Sequence, residues 1–190
     1  MKSTLTTLSI IAIIFLSTLR LEATVYLVSN LQEFNSAVQV VVPGDSVVLK
    51  KGTWSNIIFY FTANGAPGNP ITLTVEEYGT TIITGNSNLR IFGDHLVVDG
   101  LYFKDGRSPN GAVIEFRNGS SQLSHYSRLT NSAIVNFNPP NTATDYKWVS
   151  LYGSNNRVDH CYFAGKNHSG TLLVVWMDIE PDYHTIDHNY

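Results

Sequence analysis

From Val25 onward the chain runs in short stretches of apolar and β-branched residues, and turn residues break these stretches before any reaches helical length. The pattern predicts strands at 24–29, 46–49, 71–75, 80–84, 89–92, 96–99, 112–116, 127–137, 148–152, 156–163 and 172–177. Between them lie 65–70, Gly79, Gly85-Asn86 and Gly93-Asp94, all turn chemistry. One segment has a different period. Leu31, Phe34, Ala37 and Val38 share a helical face, and Asn30 can cap the helix with Glu33 three residues on, which predicts a helix over 31–39. Residues 43–45 then turn the chain, and 51–54 close the first coil. Strands this short, joined by turns rather than helices, exclude a βαβ fold.

A six-residue pattern returns along the chain. It reads Val98-Asp99-Gly100-Leu101-Tyr102-Phe103, then Val158-Asp159-His160-Cys161-Tyr162-Phe163, then Ile186-Asp187-His188-Asn189-Tyr190. A fainter copy, Leu129-Thr130-Asn131-Ser132-Ala133-Ile134, lies between the first two, so the steps are 31, 29 and 28 residues. A near-constant period of this size marks a solenoid whose coils bury their apolar faces against one another. Three strands per coil suit a right-handed parallel β-helix; a β-sandwich is the rival, but it does not call for the same hexapeptide at even spacing. Val98, Leu129, Val158 and Ile186 should then stack in one inward column, and Phe103, Ile134 and Phe163 in another, about 4.8 Å per coil. An open solenoid end exposes edges and core, so the helix at 31–39 is expected to cap the N-terminal end. The last copy of the pattern stops at Tyr190 without its closing apolar residue. The expectation is an N-terminal portion of a longer protein, with 24–190 one β-helical unit that frays from residue 171.

Composition adds the compartment. Lys2, the apolar run 8–16 and the small or polar residues before Ala23 read as a signal peptide over 1–23, although Leu21 stands where a small residue is usual. The alternative is an uncleaved anchor. A secreted or periplasmic protein follows, with no membrane span after the signal is removed. The one cysteine, Cys161, excludes an internal disulfide framework; Leu101 and Ser132 hold its place in other copies, so it reads as a small core plug. A net charge of −3 and no Lys/Arg cluster exclude nucleic acid as a partner.

Several segments together resemble a known family. They are Pro43-Gly44-Asp45 with Val47-Val48-Leu49 and Gly52-Thr53-Trp54; Gly68-Asn69-Pro70-Ile71-Thr72-Leu73; Thr84-Gly85-Asn86-Ser87 with Leu89-Arg90-Ile91; 95–103; Asp159-His160-Cys161-Tyr162-Phe163 with Lys166-Asn167; and 184–190. In that order, over 25–190, they resemble polysaccharide lyase family 6, the alginate lyases and chondroitinase B. The resemblance implies a secreted β-helix that cleaves an acidic polysaccharide, alginate or a uronate-containing glycosaminoglycan, by β-elimination. A base takes the C5 proton beside the uronate carboxylate, and the 4-O-glycosidic bond breaks to leave an unsaturated sugar. Ca²⁺ neutralises the carboxylate, a lysine is the base and an arginine assists. The resemblance places those catalytic residues and calcium ligands beyond Tyr190. The chain alone is therefore expected to be inactive, to hold no metal, and to be a monomer if complete.

Within the chain, candidate chemistry is sparse. Lys166 and Asn167 follow the repeat in a turn, where they can meet an anionic sugar, and His188 is a third candidate substrate contact. Lys147 beside Trp148 offers charge plus stacking, although Trp148 reads better as core. Asp178, Glu180 and Asp182 place acids at alternate positions, but without a Gly-centred loop they read as a solvated turn rather than a Ca²⁺ site. His184 and His188 lack the partners of a zinc site. Asn118-Gly119-Ser120 and Asn167-His168-Ser169 fit glycosylation sequons. Two functions stay open: the scaffold portion of a polysaccharide lyase, and a non-catalytic β-helical carbohydrate-binding or surface-adhesion protein.

Overall fold

The computed structural model describes residues 22–177 and 181–190. Strand β1 (Val25–Val28) leads into helix α1 (Leu31–Val38). The first coil is β2 (Ser46–Leu49), β3 (Gly52–Ser55) and β4 (Ile58–Asn64); the second is β5 (Ile71–Val75), β6 (Thr81–Asn86) and β7 (Asn88–Asp94). The third is β8 (Leu96–Asp99), β9 (Tyr102–Arg107) and β10 (Ile114–Glu115), followed by a hairpin of β11 (Arg117–Asn118) and β12 (Gln122–His125). The fourth is β13 (Arg128–Thr130), β14 (Ala133–Val135) and β15 (Val149–Leu151), and the fifth β16 (Arg157–Asp159), β17 (Tyr162–Ala164) and β18 (Leu173–Val175). Strand β19 (Thr185–Asp187) opens the next coil.

Corresponding strands stack into three sheets. Sheet A runs β1-β2-β5-β8-β13-β16-β19, sheet B runs β3-β6-β9-β14-β17, and sheet C holds β4, β7, β10, β15 and β18 with the hairpin against β7. Between strands of successive coils every pairing is parallel, and the hairpin is the antiparallel exception among named strands. This is a right-handed parallel β-helix and rules out the sandwich. Both expected columns form: Leu73, Val98, Leu129, Val158 and Ile186 are in register, as are Ile83, Phe103, Ile134 and Phe163. Val98, Leu129 and Val158 are fully buried, whereas Ile186 is 46% exposed because β19 pairs on one side only.

Helix α1 forms where expected and for the expected reason. The Glu33 amide donates to Asn30 Oδ1 (2.9 Å), and Glu33 Oε2 accepts from the Ser29 amide (2.7 Å), a reciprocal cap. Phe34, Ala37 and Val38 are buried, with Phe34 edge-on to Phe59 at 5.1 Å, so the helix covers the first coil. Cys161 is a buried plug, as expected.

Three details differ from the sequence reading. The first coil does not close at Trp54; it continues through β3 into β4, whose Phe59 and Phe61 point inward while Tyr60 points out. An outward aromatic between two inward ones hides the alternation, so Ile58–Phe61 reads as a featureless apolar run. The single strands expected at 127–137 and 156–163 each bend at one residue, Asn131 and His160, with φ near +50°. Among the described residues ten non-glycine residues have positive φ, and all but Asp105 sit at such corners; Asp105 lies inside β9, where its pairing with β6 shifts register. Asn131, His160 and His188 leave sheet A beside Gly100; Asn56 and Asn136 leave sheet B; His95, Tyr126, Asn155 and Tyr183 lie between sheet C and sheet A. The third position of the repeat is therefore a left-handed corner, which Gly, Asn and His tolerate.

Candidate functional site

The outer face of sheet C gathers charged and aromatic side chains. Tyr60, Arg90, Glu115, Ser150 and Val174 follow one another in register across its five strands. One step further along each chain stand Arg117, Tyr152 and Trp176. Loops 107–113 and 137–147 rise beside them and enclose a groove of about 650 Å³.

The groove floor is an ion-pair triad. Buried Glu115 pairs with Arg90 and accepts from Arg117 Nε at 2.7 Å. Arg90 also donates to the carbonyl (2.9 Å) and side chain (3.1 Å) of Asn110, and burial pushes its guanidinium below the ordinary arginine value. Gly111 lets the loop lie against this pair: a Cβ there would sit 2.9 Å from Arg90 Nη2 and 3.0 Å from Glu115 Oε2, at a φ of +62°. The second guanidinium, Arg117, lies 3.6 Å over the Tyr152 ring. Tyr152 in turn stacks on Trp176 at 5.9 Å and 8°, and Lys147 Nζ stands 5.9 Å over Trp176. The sequence Arg117, Tyr152, Trp176, Lys147 is thus one continuous cation–aromatic stack. Burial raises the Tyr152 hydroxyl above its ordinary value, so it stays protonated and available as a donor.

The walls are held by hydrogen bonds. The buried Tyr146 hydroxyl, pushed up to about 12 by burial, accepts from the Ser108 amide and ties one loop to the other. His168 packs edge-on to Tyr146 at 4.7 Å, and burial pushes its imidazole below the usual histidine range. Asn88 Nδ2 donates to Asn110 Oδ1 at 2.9 Å. Three cations (Arg107, Arg117, Lys147) line the groove against two carboxylates, in a chain whose net charge is −3. Both carboxylates are already taken, Glu115 by Arg90 and Arg117 and Asp145 by Lys147 at 2.5 Å. The groove therefore suits an anionic ligand with flat apolar faces.

The residues singled out from the sequence fall elsewhere. Lys166 and Asn167 lie in the turn leaving sheet B on the fifth coil, where Lys166 Nζ donates to the His168 carbonyl (2.6 Å) and the Asn167 amide donates to Asn138 (3.3 Å). His188 is at the opposite corner, leaving sheet A, with Nδ1 2.8 Å from Asp187 and its ring stacked on His160 at 5.1 Å. The structure does not bring these three together. Trp148 is core, its indole N–H donating to the Phe137 carbonyl at 2.7 Å, and Lys147 meets Trp176 instead. His184 Nδ1 accepts from the Asn156 amide (3.1 Å). Asp178 and Glu180 lie outside the described residues. Among the described residues no three His, Cys, Asp or Glu side chains converge to hold a metal ion.

Sequence reasoning missed Arg90, Glu115, Arg117, Tyr152 and Trp176. Their signal is weak: from Arg90 to Glu115 to Ser150 to Val174 the steps are 25, 35 and 24 residues, because the loops between sheets B and C vary in length.

Comparison with known proteins agrees with the fold. The family model described as chondroitinase B matches residues 28–190. Among solved structures, the PL6 family alginate lyase AlyGC is 40% identical, with a TM-score of 0.85 over 87% of this chain and 23% of its own. A PL6 family polysaccharide lyase from Pseudopedobacter saltans is 36% identical (TM-score 0.77, covering 84% of this chain and 36% of its own). A mannuronic acid specific family 6 lyase from human gut microbiota is 33% identical (TM-score 0.79, covering 87% and 40%). No curated protein matches. The chain spans well under half the length of these relatives. It belongs to the chondroitinase B family, the polysaccharide lyase family 6 β-helices.

Proposed function

We propose that this chain is the N-terminal scaffold portion of a secreted or periplasmic polysaccharide lyase, and that the sheet C groove holds part of an acidic polysaccharide, alginate or a uronate-containing glycosaminoglycan. The observation that carries this reading is the cation–aromatic stack of Arg117, Tyr152, Trp176 and Lys147. Aromatic faces pack on the C–H faces of pyranose rings, while guanidinium and ammonium groups pair with uronate carboxylates. A family 6 alginate lyase solved with a trisaccharide, 26% identical, supports an oligosaccharide as ligand.

In this reading the chain binds and orients. Arg117 and Lys147 fix the carboxylates, Tyr152 and Trp176 fix the ring planes, and the walls limit water. Ca²⁺, when bound, would neutralise the carboxylate of the sugar losing its C5 proton. The groove offers no free carboxylate cage for it, because Glu115 and Asp145 are both paired. Proton abstraction and calcium ligation are assigned to no residue of this groove. Lys166 and Asn167 are proposed as outlying contacts on the fifth coil, and His188 as a third.

The test is titration calorimetry of residues 24–190 with uronate oligosaccharides, alongside absorbance of unsaturated product. Binding without product is the expected result. Trp176→Ala and Arg117→Ala should each weaken binding about tenfold. Binding unaffected by both substitutions would remove the groove from the proposal, and calcium-dependent product from this chain would relocate the catalytic groups into it.

A further inference from the structure

The outer face of sheet B carries aromatic side chains that the sheet C groove does not use. Tyr102, Ala133 and Tyr162 are in register on β9, β14 and β17. The two tyrosines are therefore two strand spacings apart, about 9.6 Å. Ala133 leaves a gap between them that a third aromatic would have filled. Tyr78 overhangs the same place from the connection between β5 and β6. Its ring occupies the space a Cβ on Gly100 would need, and its hydroxyl donates to Asp99 Oδ2 at 2.6 Å. Asp99 Oδ1 accepts from Asn131 Nδ2 at 2.9 Å, so its carboxylate is occupied. Together these residues enclose an open hollow of about 210 Å³ with Gly100, Leu101 and Ala133 at its base. Tyr78 and Tyr162 are 56% and 54% exposed. Lys104, next outward on β9, stands 5.9 Å over the Tyr102 ring and adds a cation. Asp105, the next residue on that strand, accepts from Asn136 Nδ2 at 3.3 Å.

We propose that this face is a second, non-catalytic glycan-binding strip that grips an extended 1,4-linked uronate chain running along the helix axis. Two observations point to that occupant. The first is spacing. Coils repeat at nearly the length of one pyranose unit in an extended 1,4-linked chain, so tyrosines two coils apart meet alternate sugars. In a two-fold ribbon, alternate sugars present the same face. The second is charge: the cation of the strip, Lys104, stands beside one aromatic platform, where a uronate carboxylate would flank the stacked ring. Tyrosines set apart by a small residue make no stack of their own, and the exposed Tyr162 ring is open to a ligand. The choice of a uronate chain rests on the function proposed for the sheet C groove; the existence of the strip does not. Held on sheet B, a polymer would keep its enzyme at high local concentration while the groove on sheet C works on another segment.

The experiment is affinity gel electrophoresis of the full-length protein through alginate, through a neutral 1,4-linked glucan and through plain gel. Two double variants are compared, Tyr102→Ala/Tyr162→Ala on sheet B and Tyr152→Ala/Trp176→Ala on sheet C. Tyr162→Ala alone serves as a milder second form, and circular dichroism checks each fold. The sheet B pair should lower apparent affinity for alginate about five- to tenfold. The sheet C pair should leave retardation that disappears when the sheet B pair is added. Unchanged retardation in the folded sheet B variant, or complete loss with the sheet C pair alone, would overturn the strip and leave the groove standing. Loss with the sheet B pair and none with the sheet C pair would instead support the strip and remove the groove. Equal retardation by the neutral glucan would overturn the uronate assignment.

Discussion

A left-handed corner tolerates few residues, and in this chain the reason is steric as well as conformational. Gly153 has φ +77°, and a Cβ there would overlap the Ser124 carbonyl. That oxygen accepts from Asn156 Nδ2, so it cannot retreat. Gly153→Ala is expected to cost at least about 2 kcal/mol, read from urea unfolding. Glu115 makes a different single-residue case. Removing its charge leaves Arg90 buried without its partner. Glu115→Gln should destabilise the fold by about 3 kcal/mol in the same measurement.

Between neighbouring strands, side chains at one corner bind the backbone of the coil before. The Leu96 amide donates to Ser127 Oγ (3.2 Å), the Ser127 amide to Asn156 Oδ1 (2.9 Å), and the Asn156 amide to His184 Nδ1. Asn156 also donates to the carbonyls of Ser124 and Tyr152, at 2.7 and 2.8 Å, so this buried amide is satisfied on both ends. Asn156→Ala should lose on the order of 3 kcal/mol, because it strands buried backbone groups. On the outside of sheet A a second ladder joins coils by charge: Arg128 pairs with Asp159 at 2.5 Å and Arg157 with Asp187 at 2.7 Å. Burial alone would raise the Asp159 carboxyl, but hydrogen bonds from Arg128 and His160 and the nearby guanidiniums outweigh it and hold the group at about 2. A pKa depressed on folding contributes stability that is present above the unfolded value, near 4, and is lost as pH falls through the folded one. Melting temperature should therefore drop between about pH 4 and pH 2, and Asp159→Asn should flatten that part of the profile.

At the scale of the whole molecule, the solenoid spreads function along an axis. Each coil adds one position to a groove and one interface to the stability. Strand β19 pairs with β16 alone, while β8 and β13 are paired on both sides. Amides of 185–187 should therefore exchange faster than those of 96–99 and 128–130, with deuterium uptake by mass spectrometry as the readout. The charge layout gives a second expectation. A net-negative chain that gathers Arg107, Arg117 and Lys147 in one groove should lose affinity for uronate oligomers as salt rises, because the exposed part of this attraction is screened over about 10 Å at 0.1 M. Calorimetry at two ionic strengths would show it.

The architecture was legible in the sequence because a solenoid writes its geometry locally. The capping helix follows from Asn30 and Glu33, which meet within one turn. The inward columns follow from a period that the turns leaving sheet A hold nearly constant, so Val98, Leu129 and Val158 could be placed without knowing what surrounds them. The chemistry was not legible in the same way. Lys166, Asn167 and His188 lie near the repeat in sequence, yet at different corners of the coil, whereas Arg90, Glu115, Arg117, Tyr152 and Trp176 are spread over 87 positions and share one face. Loops of unequal length between sheets B and C erase the period there, and only stacking of the coils restores the register. Sequence alone determined the fold, because each coil repeats the same local choices; the tertiary structure decided the groove, because its residues become neighbours only when coils of different length are laid one on another.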